Sequence, residues 1–323
     1  MAKRKIYMNG KFVDESEAKI SIFDSSLMFG DMVFEMTRSF GGEHFKLREH
    51  IDRLFTGLKI LRIDIPESKE EVYDLCIKTA EMNRDAFDED DEHRLLIDVS
   101  RGVLGIYEGI QGIHKGYNLV IADFPLKWTV QGMGKLFSTG INNVITNQKV
   151  IPAHLMDPKI KNRSRLFYLM ANIETSLYKG ENNWPLMLDT DGFIAEGSGD
   201  NFFIVKNNTV ISPEGRNMLR GISRDYVMND LCKTLKIDAI EKNIEPFDVY
   251  EADEAFISAT PFCMLPVTSL NSIKIGDGKP GKVFKSLINQ WSKNEGVDII
   301  KQIESWNEKI ENTKNKVTPY KFK

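Results

Sequence analysis

The run of residues 201–205, NFFIV, most restricts what this chain can fold into. Four consecutive large apolar side chains leave no face for water, so we expect a buried strand. Turn residues bound this strand, because a Gly-Ser-Gly-Asp bend (197–200) precedes it and Asn-Asn (207–208) follows it. Another strand passes from the Asp-Gly turn at 191–192 to Glu196. The chain is therefore expected to contain a buried strand pair with a carboxylate at the end of one strand.

Lys161 is the first candidate for chemistry, in the run 157–168, DPKIKNRSRLFY. The apolar residues that follow it recur at i, i+3, i+4, i+7 and i+11, which predicts one face of a helix. These residues are Leu166, Leu169, Met170, Ile173 and Leu177. We expect Lys161 at the start of that helix against apolar neighbours, where desolvation favours the neutral amine that forms a Schiff base. The alternative is a solvated lysine in a basic loop.

Two further side chains are candidates on the same kind of argument. Glu196 ends a buried strand and needs a partner, so it is either an ion-paired or capped glutamate or a functional one. Arg53 points away from the apolar stripe of the helix predicted over 48–61, and a plain surface arginine would do the same.

Gly221 precedes a helix, and free N–H groups at a helix start form an anion site suited to phosphate. An ordinary N-terminus capped by Ser223 is the alternative. Thr260 adds a hydroxyl at the end of the strand predicted over 255–259, which makes it another possible phosphate donor.

The order of elements predicts two domains. The expected elements are hairpins at 9–10 and 41–42, strands at 20–23, 95–99 and 119–124, and helices at 48–61 and 69–83. Turn residues and a lack of periodicity at 125–134 mark the boundary. We therefore expect a small N-terminal α/β domain over 1–125, an interdomain loop over 126–136, a larger domain over 137–298 and a charged tail over 299–323.

Composition excludes several classes of protein. The chain has 323 residues, 41% hydrophobic and 28% charged, with a net charge of −4, which is typical of a soluble globular protein and not of a nucleic-acid-binding one. Three scattered cysteines favour a reducing compartment, so we expect a cytoplasmic protein. The five histidines show no metal-ligand spacing, and neither a signal peptide nor a membrane span is expected. A GxGxxG match at 276–281 lacks its strand–helix–strand context and is better explained as a turn.

The motifs together resemble a known family. They are YMNGKFV, ISIFDSSLMFGDMVFEMTR, HIDRL, KNRSRLFY, EGSGDNFFIV, LRGISR and FISATPFCMLPV, and they cover about residues 5 to 290. In this order they are similar to the class IV aminotransferases, the fold-type IV group of branched-chain and D-amino-acid aminotransferases and aminodeoxychorismate lyase. The resemblance implies an α+β fold of two domains with pyridoxal 5′-phosphate (PLP) between them, and a homodimer.

The resemblance also implies residue roles, position by position. Lys161 would be the Schiff-base lysine and proton shuttle, and Glu196 would pair with the pyridine nitrogen. Arg53 would bind the phosphate together with donors near the second domain's helix start and strand end, namely Ile222, Ser223, Ala259 and Thr260. Intact Lys161, Glu196 and Arg53 argue against a non-catalytic homologue.

The substrate is less constrained. The leading prediction is transfer of an amino group from an apolar, branched-chain-like amino acid to a 2-oxo acid such as 2-oxoglutarate or pyruvate. A D-amino-acid aminotransferase and a lyase of the aminodeoxychorismate type are the alternatives. Phe29 and Phe34 are candidates for an apolar side-chain pocket, Met36 stands where branched-chain enzymes usually have glycine, and Arg38 and Arg101 are candidate carboxylate contacts.

Overall fold

The computed structural model describes residues 3–308. Contacts between residues divide the described chain into two compact units. The first runs up to Trp128 and also includes Ile160–Arg165, and the second comprises Thr129–Lys159 and the chain from Leu166 onward. The sequence predicts a boundary at 125–134, and the structure adds a short return of the chain to the first unit around Lys161.

The first unit is an antiparallel sheet covered by helices. Its strands lie in the order β2-β1-β7-β6-β3, beside a small hairpin of β4 and β5. The strands are β1 (Lys5–Met8), β2 (Lys11–Asp14), β3 (Met32–Met36), β4 (Ser39–Phe40), β5 (Glu43–His44), β6 (His93–Ser100) and β7 (Asn118–Pro125). The helices are α1 (Ser25–Phe29), α2 (Leu47–Leu61) and α3 (Lys69–Asn83), with α4 (Lys127–Val130) at the end of the unit's main segment.

The core of the first unit lies on one face of this sheet. Leu95, Ile97 and Val99 alternate along β6 and are fully buried, as are their partners on α2 such as Ile51 and Leu54. Every second side chain of β6 and every third or fourth side chain of α2 is therefore apolar and packs into one shared layer. The other face of β3 and β6 carries Phe34, Met36, Arg94, Leu96 and Asp98 by the same alternation.

Most of the predicted elements of this unit are confirmed. The turn at Asn9-Gly10 has φ values of +49° and +88°, which fit an Asn-Gly hairpin turn. The hairpin at Gly41-Gly42 and both helices are present. The strand predicted over 20–23 is wrong. That segment turns into α1, whose N-cap Asp24 accepts a hydrogen bond from the Ser26 N–H (2.8 Å).

The second unit is built on a nine-stranded mixed sheet. Eight strands lie in the order β10-β9-β8-β15-β14-β11-β12-β13, β16 pairs with β15, and an additional pairing of β10 with β11 closes six strands into a ring. The strands are β8 (Ile141–Ile145), β9 (Asn183–Leu188), β10 (Ile194–Gly197), β11 (Asn201–Lys206), β12 (Thr209–Pro213), β13 (Asp238–Lys242), β14 (Glu254–Ala259), β15 (Cys263–Leu270) and β16 (Ile273–Lys274).

Helices flank this sheet. They are α5 (Leu136–Thr139), α6 (Leu166–Ser176), α7 (Ile222–Asp225), α8 (Cys232–Leu235), α9 (Pro246–Tyr250), α10 (Lys282–Glu295) and α11 (Ile299–Glu308). A π-helical turn (Tyr226–Leu231) joins α7 to α8 in one continuous helical segment. The tail beyond α11, 309–323, lies outside the described residues.

The buried strand pair is confirmed in this unit. Phe202 and Phe203 of β11 are completely buried, and Phe203 stacks on Phe256 of β14 with ring centroids 4.7 Å apart. The 276–281 match is the turn that the sequence predicts, since Gly276 and Gly278 take φ values of +53° and +75° before α10.

Helix α6 differs from its prediction in two respects. It begins at Leu166, so Lys161 lies five residues before the helix and not in its first turn. The apolar stripe also faces outward, because Leu166, Met170 and Leu177 are 69%, 47% and 80% exposed. The buried side of α6 is instead the polar and small-residue side, with Tyr168 and Asn172.

The segment predicted as an interdomain loop, 126–136, contains helical turns. Leu126, Val130, Met133 and Leu136 are buried at spacings of three and four, which gives this stretch a short helical stripe.

Candidate active site

Strand β3 holds Lys161 in the first unit. The Phe34 N–H donates to the Lys161 carbonyl (2.9 Å), and Val33 forms an isolated bridge with Asn162. The half-buried Lys161 amine lies 4.8 Å from the centroid of the Phe34 ring. The ring takes the place of part of the water that would otherwise surround this amine, and such desolvation disfavours the ammonium form. Lys161 therefore has the apolar neighbour that its sequence context predicts, and this neighbour is Phe34.

Glu35, on the opposite face of β3, orients Arg53. The carboxylate is completely buried; Oε1 accepts from Arg53 Nε (2.6 Å) and Oε2 accepts from Arg53 Nη2 (2.8 Å), a two-pronged pairing. His50 Nδ1 also lies 2.8 Å from Oε2. Burial alone would raise the pKa of Glu35, but Arg53 and His50 outweigh burial and hold the pKa well below its usual range. An ionised Glu35 therefore fixes the guanidinium of Arg53.

His50 completes this group as a neutral ring. Burial lowers the pKa of His50 against the opposing hydrogen bond to Glu35, and the charges of Arg53 and Lys161 lower it further. A neutral imidazole beside an ionised carboxylate donates from Nδ1, so Nε2 is left as an acceptor.

The other candidates in the first unit are dispersed. Arg101 pairs with Asp31 through Nε (2.6 Å) and Nη2 (3.1 Å) and donates to two backbone carbonyls at the end of α2. Phe29 is 64% exposed at the end of α1. Arg38 is fully buried, with its guanidinium carbon 3.9 Å from the Phe40 ring centroid. Arg38 follows β3, two positions after Met36, and the roles of Arg38 and Arg101 as carboxylate contacts stay predictions.

Glu196 is held by neutral donors in the second unit. The carboxylate is 3% exposed and accepts from the Tyr168 hydroxyl (2.6 Å) and the Leu219 N–H (3.1 Å). The Asn201 amide lies 3.4 Å from it and also donates to the Leu219 carbonyl (2.9 Å). These contacts join β10, β11, α6 and the loop before α7. They fix the carboxylate and satisfy its oxygens.

The start of α7 lies beside the same asparagine. Gly221 is the N-cap, and a Cβ there would lie 2.1 Å from Asn201 Oδ1, so glycine lets the two segments approach. The Ser223 hydroxyl does not cap the helix. It is buried without a hydrogen-bond partner among residues 3–308, as is the Ser258 hydroxyl.

Register places the strand-end candidates close to this helix start. Ser258 is the cross-strand partner of Asn201, and Ala259 and Thr260 follow it directly. The second unit thus places Glu196, the start of α7 and the end of β14 beside Asn201. Orphaned hydroxyls and unbonded N–H groups at a helix start are the donors that a phosphate takes. This donor set fits a phosphate near Glu196.

Asp200 lies beside this group. It is 8% exposed, its Oδ1 lacks a hydrogen-bond partner within the described residues, and its carboxyl covers Gly197. Burial, reinforced by the charge of Glu196, raises the pKa of Asp200 to about 8. The protonated form therefore predominates at neutral pH, and a second charge beside Glu196 is avoided.

We also looked for a metal site and for a membrane-spanning helix among the described residues. In the described part of the chain no three His, Cys, Asp or Glu side chains converge as a metal site would require. No helix between residues 3 and 308 combines the length and apolar character needed to cross a bilayer.

A family model for amino-transferase class IV matches residues 32–270. The chain belongs to the class IV aminotransferases. A Methanocaldococcus jannaschii protein provisionally named a branched-chain-amino-acid aminotransferase is 37% identical over 286 residues, 88% of this chain and 93% of that protein. The branched-chain-amino-acid aminotransferase of Escherichia coli K12 is 28% identical over 292 residues, 87% of this chain and 90% of its own.

Solved structures agree on the fold of this class IV aminotransferase. The E. coli branched-chain enzyme superposes with a TM-score of 0.79 at 25% identity, covering 90% of this chain and 94% of that one. The T.th. branched-chain enzyme complexed with N-(5′-phosphopyridoxyl)-L-glutamate gives 0.78 at 25% identity, covering 95% and 98%. The predicted α+β, two-domain fold of type IV is confirmed.

Sequence reasoning about this aminotransferase overlooked the residues that hold the predicted ones. Tyr168 and Asn201 lie inside the motifs KNRSRLFY and EGSGDNFFIV. Their position beside Lys161 and Glu196 in these motifs was the one sequence feature that could have identified them. Glu35 was detectable as a lone acid in the apolar strand MVFEM. His50 carried no signal of its own, since only its three-residue spacing from Arg53 on α2 places them together.

Proposed function

We propose that this chain is a PLP-dependent aminotransferase that moves an amino group from an apolar, branched-chain-like amino acid to a 2-oxo acid. The arrangement around Glu196 carries the proposal. A buried carboxylate fixed by a tyrosine hydroxyl, an amide and a backbone N–H, close to orphaned hydroxyls at a helix start, suits a cationic ring nitrogen and a phosphate on one ligand. The solved relative with a phosphopyridoxyl ligand supports the same cofactor class.

When bound, PLP supplies an aldehyde for imine formation and a ring that withdraws electrons from the substrate carbon. Lys161 would attach the cofactor and then hold the proton that leaves the substrate Cα on its Nζ. Glu196 would keep the ring nitrogen protonated, while Tyr168 and Leu219 hold Glu196 in place. Arg53, fixed by Glu35, and the N–H groups of Ile222 and Ser223 would bind the phosphate, with Ala259 and Thr260 completing the set.

The proposed substrate rests on two supports. The relatives quoted above are named for branched-chain amino acids. In this chain Phe34 and Met36 lie on the sheet face next to Lys161, and both are suited to an apolar side chain. Phe29 at its exposed position would contribute only in an assembly that covers it.

We also propose a homodimer. The stripe of α6 leaves Leu166, Met170 and Leu177 exposed, and large apolar side chains of residues 20–29 are exposed in the first unit. Exposed large apolar side chains of this kind mark protein–protein interfaces when they form a patch. Sedimentation of the purified protein would test this, since a single monomeric species would contradict it. A cytoplasmic location stays a prediction.

The near-visible absorption spectrum of the holoprotein tests the function. L-leucine and D-alanine are added in separate experiments. L-leucine should abolish the absorption band of the lysine-bound cofactor and produce the band of the pyridoxamine form. Conversion by D-alanine alone would favour the D-amino-acid alternative, and conversion by neither would favour the lyase.

Two variants test the assignment of Lys161. Lys161→Ala should lose both the lysine-bound band and turnover, because no other amine replaces it in the chemistry. Lys159→Ala is the matched control, since Lys159 lies two residues away and binds Asp157 and the Arg216 carbonyl instead. Retained turnover in Lys161→Ala would refute the assignment.

A further inference from the structure

Two arginines lie at the same aromatic ring as Lys161. The sequence reads Lys-Asn-Arg-Ser-Arg over 161–165, and side chains two positions apart in an extended segment point to the same side. The guanidinium carbons of Arg163 and Arg165 lie 3.7 Å and 5.5 Å from the centroid of the Phe34 ring. The Lys161 amine lies 4.8 Å from the same centroid. Three cationic groups therefore gather at one ring, which an aromatic face favours.

The segment that carries these groups is fixed against the first unit. Its backbone accepts a hydrogen bond at the Lys161 carbonyl from the Phe34 N–H (2.9 Å). Asn162 Oδ1 accepts from the Ser164 N–H (2.9 Å), and the Ser164 hydroxyl donates to the Phe29 carbonyl (3.1 Å). The residue between Asn162 and Ser164 is thus anchored on both sides, and its side chain is directed to the Phe34 ring.

A carboxylate holds Arg163 at that ring. Asp98 on β6 is the Cα partner of Phe34 on β3, and its Oδ1 accepts from Arg163 Nη2 (3.1 Å). The side chains of Arg163 and Asp98 are 36% and 23% exposed, so water screens this pair only in part. Burial raises the pKa of Asp98, and the charge and hydrogen bond of Arg163 oppose that rise. Each group of the pair therefore depends on the charge of the other.

The charges of this pair act on the Lys161 amine. The distances to the ring centroid put the amine and the Arg163 guanidinium carbon at most about 8.5 Å apart, less than the roughly 10 Å over which 0.1 M salt screens exposed charges. A nearby cation disfavours the protonated form of an amine, and a nearby carboxylate favours it. Arg163 and Asp98 thus have opposite effects on the proton of Lys161.

Other charged groups of the first unit also lie around the amine. They are Arg165 on its own segment, His50, Arg53 and Glu35 on the side of α2, and Arg94, with Arg38 near it, further along the sheet. His50 is neutral, and Glu35 and Arg53 offset each other's charge as an ion pair. The background charge at Lys161 is therefore positive, and Asp98 is the acid that limits it on the Phe34 side.

We propose that Arg163 is a positioning residue that favours loss of the proton from Lys161 Nζ, and that Asp98 holds Arg163 on the Phe34 ring and limits this effect. The inference rests on the proposed function and deepens it. The amine without its extra proton is the form that attacks the cofactor aldehyde and that later accepts the proton from the substrate Cα. One face of the pocket wall at Phe34 would thus serve proton transfer as well as substrate binding.

A pH titration of the near-visible band of the holoprotein tests this without turnover. In Arg163→Gln the pKa of the lysine-bound cofactor should rise by about 0.5 to 1, because one nearby cation is lost. In Asp98→Asn it should fall by about the same amount, because one nearby anion is lost. The double variant should lie between the two single variants, since both charges are removed together.

Arg48 and Glu70 provide matched controls. Arg48 Nη1 donates to Glu70 (2.8 Å), and its guanidinium carbon lies 4.3 Å from the centroid of the Tyr73 ring. The same kinds of group therefore meet on the α3 side of the same unit, where both side chains are largely exposed. Arg48→Gln and Glu70→Gln should each leave the pKa of the lysine-bound cofactor within about 0.2 of the wild-type value, because solvent screens their charges.

A purely structural role of the pair predicts a different pattern. Both single variants would then change the pKa in the same direction or leave it unchanged, and either result would overturn the proposal, as would a change in one variant alone. Arg163→Lys keeps the cation without the planar group, so its pKa should stay close to that of wild type. A pKa equal to that of Arg163→Gln would overturn the proposal. If Asp98→Asn fails to fold, the two Arg163 variants still decide the question.

Labelling of the full chain without cofactor separates the inference from the proposed function. Acetic anhydride acetylates the neutral amine, so the rate of acetylation at Lys161, followed by mass spectrometry across pH, gives the pKa of the amine. If no cofactor band and no transamination are found, the function fails, and opposite changes in this pKa would still support the inference. Active transamination of L-leucine, with a Lys161 pKa that is the same in every variant, would refute the inference and keep the function.

Discussion

Replacing Glu35 by glutamine tests whether this buried carboxylate fixes Arg53. Glutamine keeps the size of Glu35 but removes its charge and turns one acceptor into an N–H₂ group. That group must then face donors from Arg53 or His50, which now contact oxygens at 2.6 to 2.8 Å. Removing one partner of a buried ion pair costs about 3–5 kcal/mol. Because Glu35 is completely buried, solvent offers no compensation, and we expect Glu35→Gln to lose this amount of local stability.

Hydrogen exchange followed by mass spectrometry measures this locally, since the two units need not unfold together. Amides of β3 and α2 should lose protection by roughly 200- to 5000-fold. Glu49→Gln is the control on the same helix, because Glu49 is half-exposed beside Lys46 and should change protection less than about fivefold. The PLP affinity of Glu35→Gln should fall as well, through a misplaced Arg53.

The pH dependence has a defined sign. The pKa of Glu35 is lowered in the folded protein, so its contribution is present above its ordinary value of 4.5 and is lost as the pH falls below it. The difference between wild type and Glu35→Gln should therefore shrink below about pH 4.5. A loss of protection under about fivefold at pH 7 would refute the reasoning.

Three further predictions concern the second unit. Asp200→Asn should flatten the pH dependence of unfolding. Native Asp200 keeps its proton up to about pH 8, so its contribution to stability is complete below pH 3.8 and declines as the pH rises towards 8. Urea unfolding at pH 5 and pH 8 should show that the free energy of unfolding of Asp200→Asn rises relative to that of wild type at the higher pH. The exposed control Asp191→Asn should show no such change, and a difference between Asp200→Asn and wild type that is the same at both pH values would contradict the prediction. Tyr168→Phe should weaken PLP binding by about 10- to 100-fold in equilibrium dialysis, since a hydrogen bond to a charged group is lost; a change under twofold would remove Tyr168 from this role. Gly221→Ala should destabilise the protein by about 1–3 kcal/mol in urea unfolding, because its Cβ would meet Asn201 Oδ1, and a neutral result would show that this approach can relax.

Local sequence signals predicted most elements because their physical causes are local. The Asn9-Gly10 turn needs positive φ at both positions, and the stripe of α2 needs only its own spacing. The strand predicted over 20–23 failed because an exposed apolar pattern with no strand beside it is not stabilised as a strand, and Asp24 starts a helix instead. Closure of six strands into a ring depends on β10 pairing with β11, which no local pattern encodes.

The predicted site residues depended on a family resemblance, and the structure adds the groups that hold them. Periodicity placed Arg53 off its helix stripe but could not identify Glu35, 18 residues away, as the group that orients it. In the same way EGSGDN placed Glu196 at a strand end, while Tyr168 reaches it from a helix 28 positions away. Such contacts arise only when the sheet is assembled.

Helix α6 shows why apolar spacing alone does not identify a core. Its sequence predicts an apolar stripe correctly, yet Leu166, Met170 and Leu177 are exposed, and the polar side with Tyr168 and Asn172 is buried. Burying the polar side costs desolvation unless the hydroxyl and amide find partners. They do, since Tyr168 donates to Glu196 and Asn172 donates to the Tyr168 carbonyl (2.8 Å). The inner face of the helix thus holds Glu196, and its apolar face remains available for the partner subunit that we propose.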